Sequence, residues 1–145
     1  MRVHRKQIHV EWGDCDPAGI VYYPRYFEYF DACANALFES AGLPKLDLLR
    51  TYGIMGIPLV EAHARYIAPS SFGDTLLVET RITEWKSSSF SVQHKLYRGE
   101  ILAAEATEAR VWTVRTGSDP KRIESRPIPR EVIEKFTDSW GSHVR

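Results

Sequence analysis

What this chain has little of narrows its chemistry before any motif is read. Its two cysteines, Cys15 and Cys33, make no disulfide framework and no CxxC pair. Charge of one sign is lacking: 19 basic and 19 acidic side chains leave a net charge of zero. Such a chain has no long-range field for nucleic acid or an anionic membrane, so neither is an expected partner. No apolar run approaches the roughly 20 residues that span a bilayer. The N-terminal "MRVHRKQIHVEW" is basic but has no apolar core like that of a secretory signal, and it alternates as a strand does. Repeats, linkers and low-complexity tracts are missing too. The expectation is one domain over residues 1–145, cytoplasmic and reduced, large enough to bury a core without staples.

The familiar catalytic signatures are also missing: no GxSxG elbow, no HExxH, no P-loop. "DCDPAG" begins like a calcium loop but has Ala18 at its fifth position and Arg25 at its twelfth, where oxygen ligands are needed. The five histidines have no metal spacing. His63 and His94 stand alone in strand patterns, and His4, His9 and His143 lie near the ends, so all five read as surface or satisfied core. Cys15 is flanked by two acids, which raise a thiol pKa, so it reads as a packing residue, as does Cys33.

What is there begins with "WGDCDPAGIVYYPRYFEYF", residues 12–30. Pro17 and Gly19 break the preceding strand, "QIHVEW". Pro24 suits a first helical position, and a helix then runs to Gly42, a natural C′ residue, with Pro44 barring continuation. At 100° per residue, Arg25, Glu28, Asp31, Asn35 and Glu39 fall in a stripe about 120° wide. Nearly everything else on this helix is apolar, so something must wrap it. "LDLLRTYG" reads as a short helix or turn. "IPLVEAHARYIA", "TLLVETRITEW", "SSFSVQHKLYR" and "ILAAEATEARVWTVRT" read as strands. Their links, "PSSFGD", "KSS" and "RGE", are short enough to predict an antiparallel meander. In the last strand the alternation slips at Glu108 to Arg110, which predicts a bulge or two-sided burial. "IESRPIP" is a short edge piece and "REVIEKF" a final helix. The fold class is α+β: a long buried helix wrapped by a five-stranded antiparallel sheet. One helix leaves apolar sheet surface over, which predicts self-association.

Asp14 and Asp16 straddle the bend. One carboxylate can cap local N–H groups, as Asp does in turns, and the other can face a pocket. Beside it a helix begins, where unsatisfied N–H groups and the positive dipole end can polarise a carbonyl. A carboxylate there can attack the carbonyl carbon or activate water. Such sparse machinery ranks thioesters above esters and amides, because a thiol pKa near 8.5 lets the thiolate leave unprotonated. On spacing alone, both acids shaping a turn is an equal reading.

"GDCDPAGIVYYPRYFEYFDA", with "GIPLVEAHARYIAPSSFGDTLLVETRITEWKSSSFSVQH" and "IPREVIEKF", resembles the hot-dog fold acyl-CoA thioesterases, specifically the 4-hydroxybenzoyl-CoA thioesterase type. The resemblance implies hydrolysis of an acyl-CoA, aromatic by the Pro24 that follows Tyr23, where short-chain relatives carry His. It implies Asp16 as the catalytic carboxylate and the Tyr23 backbone N–H as the group polarising the thioester carbonyl. Substrate contacts are implied at Asp31, near the acyl ring, and at Lys86, Ser88 and Arg122 for CoA. The basic cluster for CoA phosphates is thinned here to Lys86 in "EWKSSSF", with Lys121, Arg122 and Arg126 in support. The resemblance also implies a dimer or dimer-of-dimers tetramer, sites between subunits, and no metal or redox cofactor. An aliphatic acyl-CoA substrate and a non-catalytic acyl-CoA-binding module are the alternatives. Hot-dog dehydratases use His with an acid, and no His sits near this loop.

Overall fold

The computed structural model describes residues 1–137; His143 lies outside them. Strand β1 (Val3–His9) leads through a 3-10 turn (Trp12–Asp14) and a loop into helix α1 (Pro24–Ser40). A short helix α2 (Lys45–Tyr52) follows, then β2 (Leu59–Tyr66), β3 (Thr75–Trp85), β4 (Ser89–Arg98) and β5 (Ile101–Val111). A small ribbon of β6 (Thr113–Arg115) and β7 (Ile123–Ser125) and helix α3 (Arg130–Thr137) complete it. The first strand ends sooner than "QIHVEW" indicates. The Asp14 carboxylate accepts the Glu11 N–H at 3.0 Å, and Val10 N–H is taken by the Asp74 carbonyl, so Trp12 belongs to a turn.

α1 has Pro24 at its first turn, and the chain leaves it through Gly42 at φ +81°, a conformation that side chains with a Cβ resist. Its buried face is Tyr26, Tyr29, Phe30, Cys33, Ala34, Leu37 and Phe38, while Glu28, Asp31, Ala32 and Glu39 stay in solvent. The helix is therefore covered on one side rather than enclosed. Against it lies an antiparallel sheet of order β1-β3-β4-β5-β2. Val78, Thr80 and Ile82 of β3 and Val92, His94 and Leu96 of β4 point inward, as do Ala104 and Ala106 of β5. The alanines let the helix approach the sheet.

The expected meander holds only for β3, β4 and β5, which "KSS" and "RGE" join as hairpins. "PSSFGD" does not make a hairpin: β2 pairs β5 at the far edge, and β3 pairs β1. The link from 67 to 74 must cross about 14 Å, three strand spacings. Eight residues reach about 26 Å when extended, so its length allows either topology. The alternation in β5 does not slip either. Glu108 and Arg110 keep the inward phase of Ala104 and Ala106 and are buried, but the expected bulge is present on the neighbouring strand: the β2–β5 register shifts between Leu59 and Glu61, opposite Arg110 and Ala109.

These inward charges lie against one another. Glu108 lies 3.2 Å from His94 Nε2 and accepts from Arg110 Nε at 3.0 Å. His94 Nδ1 shares a 2.8 Å hydrogen bond with the Thr80 hydroxyl, and its ring stacks on Phe30. Arg110 also donates to the Ile57 carbonyl at 3.2 Å and to Asp31 at 3.0 Å. One guanidinium thus ties β5 to α1 and to the segment leading into β2.

Candidate active site

The segment 14–22 folds back on itself. Tyr22 N–H bonds the Asp14 carbonyl, Asp16 N–H bonds the Ile20 carbonyl, and Gly19 N–H closes a turn onto the Asp16 carbonyl at 2.9 Å. Asp, Pro and Gly stand at the first, second and fourth turn positions that favour them. Gly19 sits at φ +83°, which an L side chain resists. The tip is stitched to the β2–β3 link by Val21 N–H to the Ser70 carbonyl and an Ile20–Ser71 bridge.

Both acids shape this loop. Asp14 caps the 3-10 turn, and Asp16 Oδ1 accepts the Ala18 N–H at 2.8 Å. The division into one capping and one free acid is thus too simple. A carboxylate has two oxygens, and Asp16 uses one for the turn while the other has no hydrogen-bond partner among the described residues. Cys15 is half-buried, its thiol turned to the Glu11 carbonyl at 3.7 Å.

Asp16 borders a cavity of about 360 Å³ with Ile20, Val21, Tyr23, Tyr26 and Tyr66, closed by Ile67 to Pro69 of the β2–β3 link. Arg98 donates to the Pro69 carbonyl and anchors that link. Tyr23 immediately precedes α1. Pro24 has no N–H to give, and Arg25 N–H is spent on the Tyr22 carbonyl. Tyr23 N–H has no partner among the described residues, so it is the amide left over at the positive end of the helix. The Tyr66 hydroxyl lies 3.5 Å from the Tyr23 carbonyl oxygen. Burial, with Tyr26 and Tyr23 beside it, raises the Tyr66 phenol above its ordinary value, so it remains a donor at neutral pH.

Asp16 and Tyr23 therefore meet at one cavity, whereas the other candidates lie elsewhere in the chain. Asp31 is further along α1, bound to Arg110. Lys86 and Ser88 occupy the β3–β4 hairpin, where the Ser88 carbonyl accepts Trp112 N–H. Arg122 lies between β6 and β7, its carbonyl accepting Thr116 N–H. The cavity adjoins the Thr75 end of β3 and the hairpin its Trp85 end, about 33 Å apart at 3.3 Å per residue. The sequence reading missed Tyr26 and Tyr66 in the cavity wall and the cluster around His94. The in-phase Glu108 and Arg110 were a readable sign of that cluster. Nothing local marked Tyr66. Among the described residues no three His, Cys, Asp or Glu side chains gather as metal ligands. No helix there is long and apolar enough to cross a membrane.

Known proteins share this arrangement. A 4-hydroxybenzoyl-CoA thioesterase of Pseudomonas sp. (strain CBS-3) is 37% identical over 134 residues, 88% of this chain and 93% of that one. The crystal structure of a 4-hydroxybenzoyl-CoA thioesterase mutant complexed with 4-hydroxybenzoyl-CoA superposes with a TM-score of 0.85. That match covers 94% of this chain and 99% of the other at 34% identity. A gentisyl-coenzyme A thioesterase matches with a TM-score of 0.79 and 30% identity, over 92% and 99%. The family profile of the thioesterase-like superfamily matches residues 10–136. This chain, a hot-dog fold with its helix against a five-stranded antiparallel sheet, belongs to the thioesterase-like superfamily.

Proposed function

We propose that this protein hydrolyses the thioester of an aromatic acyl-CoA, such as 4-hydroxybenzoyl-CoA or benzoyl-CoA, to the free acid and CoA. One observation carries the reading: the open oxygen of Asp16 and the unpartnered Tyr23 N–H belong to residues bordering the same apolar cavity. With the thioester carbonyl at Tyr23 N–H, its carbon becomes more electrophilic and the oxygen charge that develops is stabilised. Asp16 then attacks that carbon or takes a proton from an attacking water. The tetrahedral intermediate collapses by breaking the C–S bond, and the CoA thiolate leaves and is protonated by solvent or by the carboxylic acid. In the nucleophilic route water then hydrolyses the Asp16 anhydride. No metal or redox cofactor enters the proposed reaction.

The reading includes assembly. Among the described residues β2 pairs only with β5, so its outer edge is open to them, and Leu59, Val60 and Tyr66 on it are exposed. Such an edge is a template for another strand. Two copies joined antiparallel along β2 put the Tyr66 end of one beside the Leu59 end of the other. The end of the partner sheet that carries Lys86, Ser88 and Arg122 is then brought toward the Asp16 cavity. A dimer, or a tetramer of two dimers, is therefore part of the proposal, with Asp31, Lys86, Ser88 and Arg122 as substrate contacts. So is a reducing cytoplasmic setting, which suits two free thiols.

Release of CoA from 4-hydroxybenzoyl-CoA, benzoyl-CoA and a medium-chain acyl-CoA, by wild type and Asp16→Asn, tests the chemistry. Expected is turnover of the aromatic thioesters and a loss of about 100-fold or more in kcat on substitution, as for a primary acid–base group. Undiminished turnover by Asp16→Asn overturns the assignment, and turnover of the aliphatic substrate alone overturns the aromatic one. Single turnover in 18O-water identifies the nucleophilic route where water opens the anhydride at the Asp16 carboxyl carbon, because the bridging protein oxygen then leaves in the first product and 18O stays on Asp16. A fully active monomer in sedimentation would remove the shared site.

A further inference from the structure

Two tyrosines from different elements, Tyr26 and Tyr66, line one part of the cavity with their rings in contact. Tyr26, in the first turn of α1, is 4% exposed and its ring is boxed in, with Tyr29 edge-on at 6.1 Å. Tyr66, the last residue of β2, is 47% exposed. Their ring centroids are 5.1 Å apart with the planes inclined at 42°. The backbone of Tyr66 is held in register opposite Ala104, and its hydroxyl reaches the Tyr23 carbonyl, so both ends of the side chain are located. One part of the ring is covered by Tyr26 and the rest is open.

The remaining lining fits the same occupant. Asp16 is the only carboxylate on it among the described residues, three tyrosines line it, and Ile20, Val21 and Ile67 add apolar surface. A cavity of about 150 Å³ already accepts benzene. The 360 Å³ here holds a benzoyl-sized group with room for the thioester and the start of its arm. An alkyl chain in this space gains only the area it buries. A planar ring gains in addition the edge-to-face or offset contact that tyrosine rings offer.

We propose that Tyr66 is a specificity-determining residue: its ring, set by Tyr26, is the platform on which a planar acyl group packs while the thioester carbonyl lies between Asp16 and Tyr23 N–H. The inference rests on the thioesterase reading above and adds to it the residue that selects the acyl group.

The test is the ratio of kcat/KM for benzoyl-CoA to that for hexanoyl-CoA, measured for wild type, Tyr66→Phe, Tyr66→Leu and Tyr66→Met. Tyr66→Phe keeps the platform and should leave the ratio within about twofold. Tyr66→Leu and Tyr66→Met keep an apolar filler without a π face, and the ratio should fall by roughly three- to tenfold. Hexanoyl-CoA turnover is the internal control for folding, and two non-aromatic variants guard against one that fails to fold. Equal loss on both substrates, or an unchanged ratio in an active enzyme, overturns the role of Tyr66 and leaves the thioesterase reading intact. No release of CoA by wild type overturns both.

Discussion

Replacing Arg110 with Met tests whether the ion cluster under α1 holds the fold as its geometry implies. The guanidinium, 4% exposed, donates to Glu108, Asp31 and the Ile57 carbonyl at 3.0, 3.0 and 3.2 Å. Methionine fills much of the same volume and donates nothing. It strands Glu108, itself 3% exposed, with His94 as its one remaining partner among the described residues. Removing one member of a buried ion pair costs about 3–5 kcal/mol, because the other charge stays buried. Asp31→Asn, by contrast, should cost less than about 1 kcal/mol, since the Asp31 side chain is 56% exposed and water replaces the lost pairing. The double variant Arg110→Met/Glu108→Leu should be more stable than Arg110→Met alone, as no charge is left stranded. Urea unfolding at pH 7 and one fixed protein concentration measures all four, because assembly makes apparent stability depend on concentration. Burial alone would raise the Glu108 carboxyl above its ordinary value of 4.5, but His94 and Arg110 outweigh it and hold it lower. A depressed folded pKa stabilises above the unfolded value and is lost as pH falls through the folded one. Wild type should therefore hold its stability from pH 7 down to about 4.5 and lose it below. In Arg110→Met burial is opposed by His94 alone, so protonating Glu108 relieves the variant and its deficit shrinks over the same range. A deficit under about 1 kcal/mol, or one equal to that of Asp31→Asn, refutes the account.

Burial pushes the Cys33 thiol up to about 12, and Cys15 is only half-buried. A disulfide reagent at pH 8 should therefore label one thiol in the native protein and the second only in denaturant; rapid labelling of both would contradict the packing of Cys33. Lys86→Ala and Arg122→Ala should each raise KM for an acyl-CoA by roughly two- to fivefold, as expected for exposed charge contacts, and leave kcat nearly unchanged. The same acyl group on pantetheine, which lacks the nucleotide phosphates, should show no such rise; an equal rise would place these residues away from CoA.

The parts of the fold written in local pattern were legible. Pro24, the apolar face and Gly42 delimit α1 to within two residues, and strict alternation marks β3 and β4. Strand order was not legible, because it depends on where the 67–74 link runs. Its residues report a turn whether it reverses beside β2 or crosses the sheet end. The crossing matters for the site, since Ile67, Ala68 and Pro69 wall the cavity only because the link passes there. Asp16 stood out through Asp-Pro-Ala-Gly, a local signal. Tyr66 is one more aromatic in a strand until tertiary packing sets it against Tyr26. The polar cluster was half legible: Glu108 and Arg110 sit on inward positions, but their partners Asp31, His94 and Thr80 lie far away in sequence. A rule that expects apolar residues on the inward phase reads that stretch as a slip of β5 itself, although its pairing with β4 is regular there and the irregularity lies in the facing β2, between Leu59 and Glu61.

The cavity also explains why the leaving group must be an easy one. Among the described residues Asp16 is the only carboxylate on its lining, and no histidine or lysine borders it. Among the histidines of the described residues, His94 is locked between Thr80 and Glu108 in the core, and His4, His9 and His63 lie on strands away from this lining. An amine leaving group needs a proton in the transition state, and an alkoxide gains much from one. The phenols here, with Tyr66 raised above its ordinary value, are poor acids at neutral pH. A thiolate departs as the anion, since its conjugate acid has a pKa near 8.5. The energetic need then shifts from proton donation to stabilising charge on the carbonyl oxygen, which one free amide at a helix start can meet. Replacing the thioester by its oxygen ester, with the same acyl group in the same cavity, should therefore preserve binding and abolish most of the turnover.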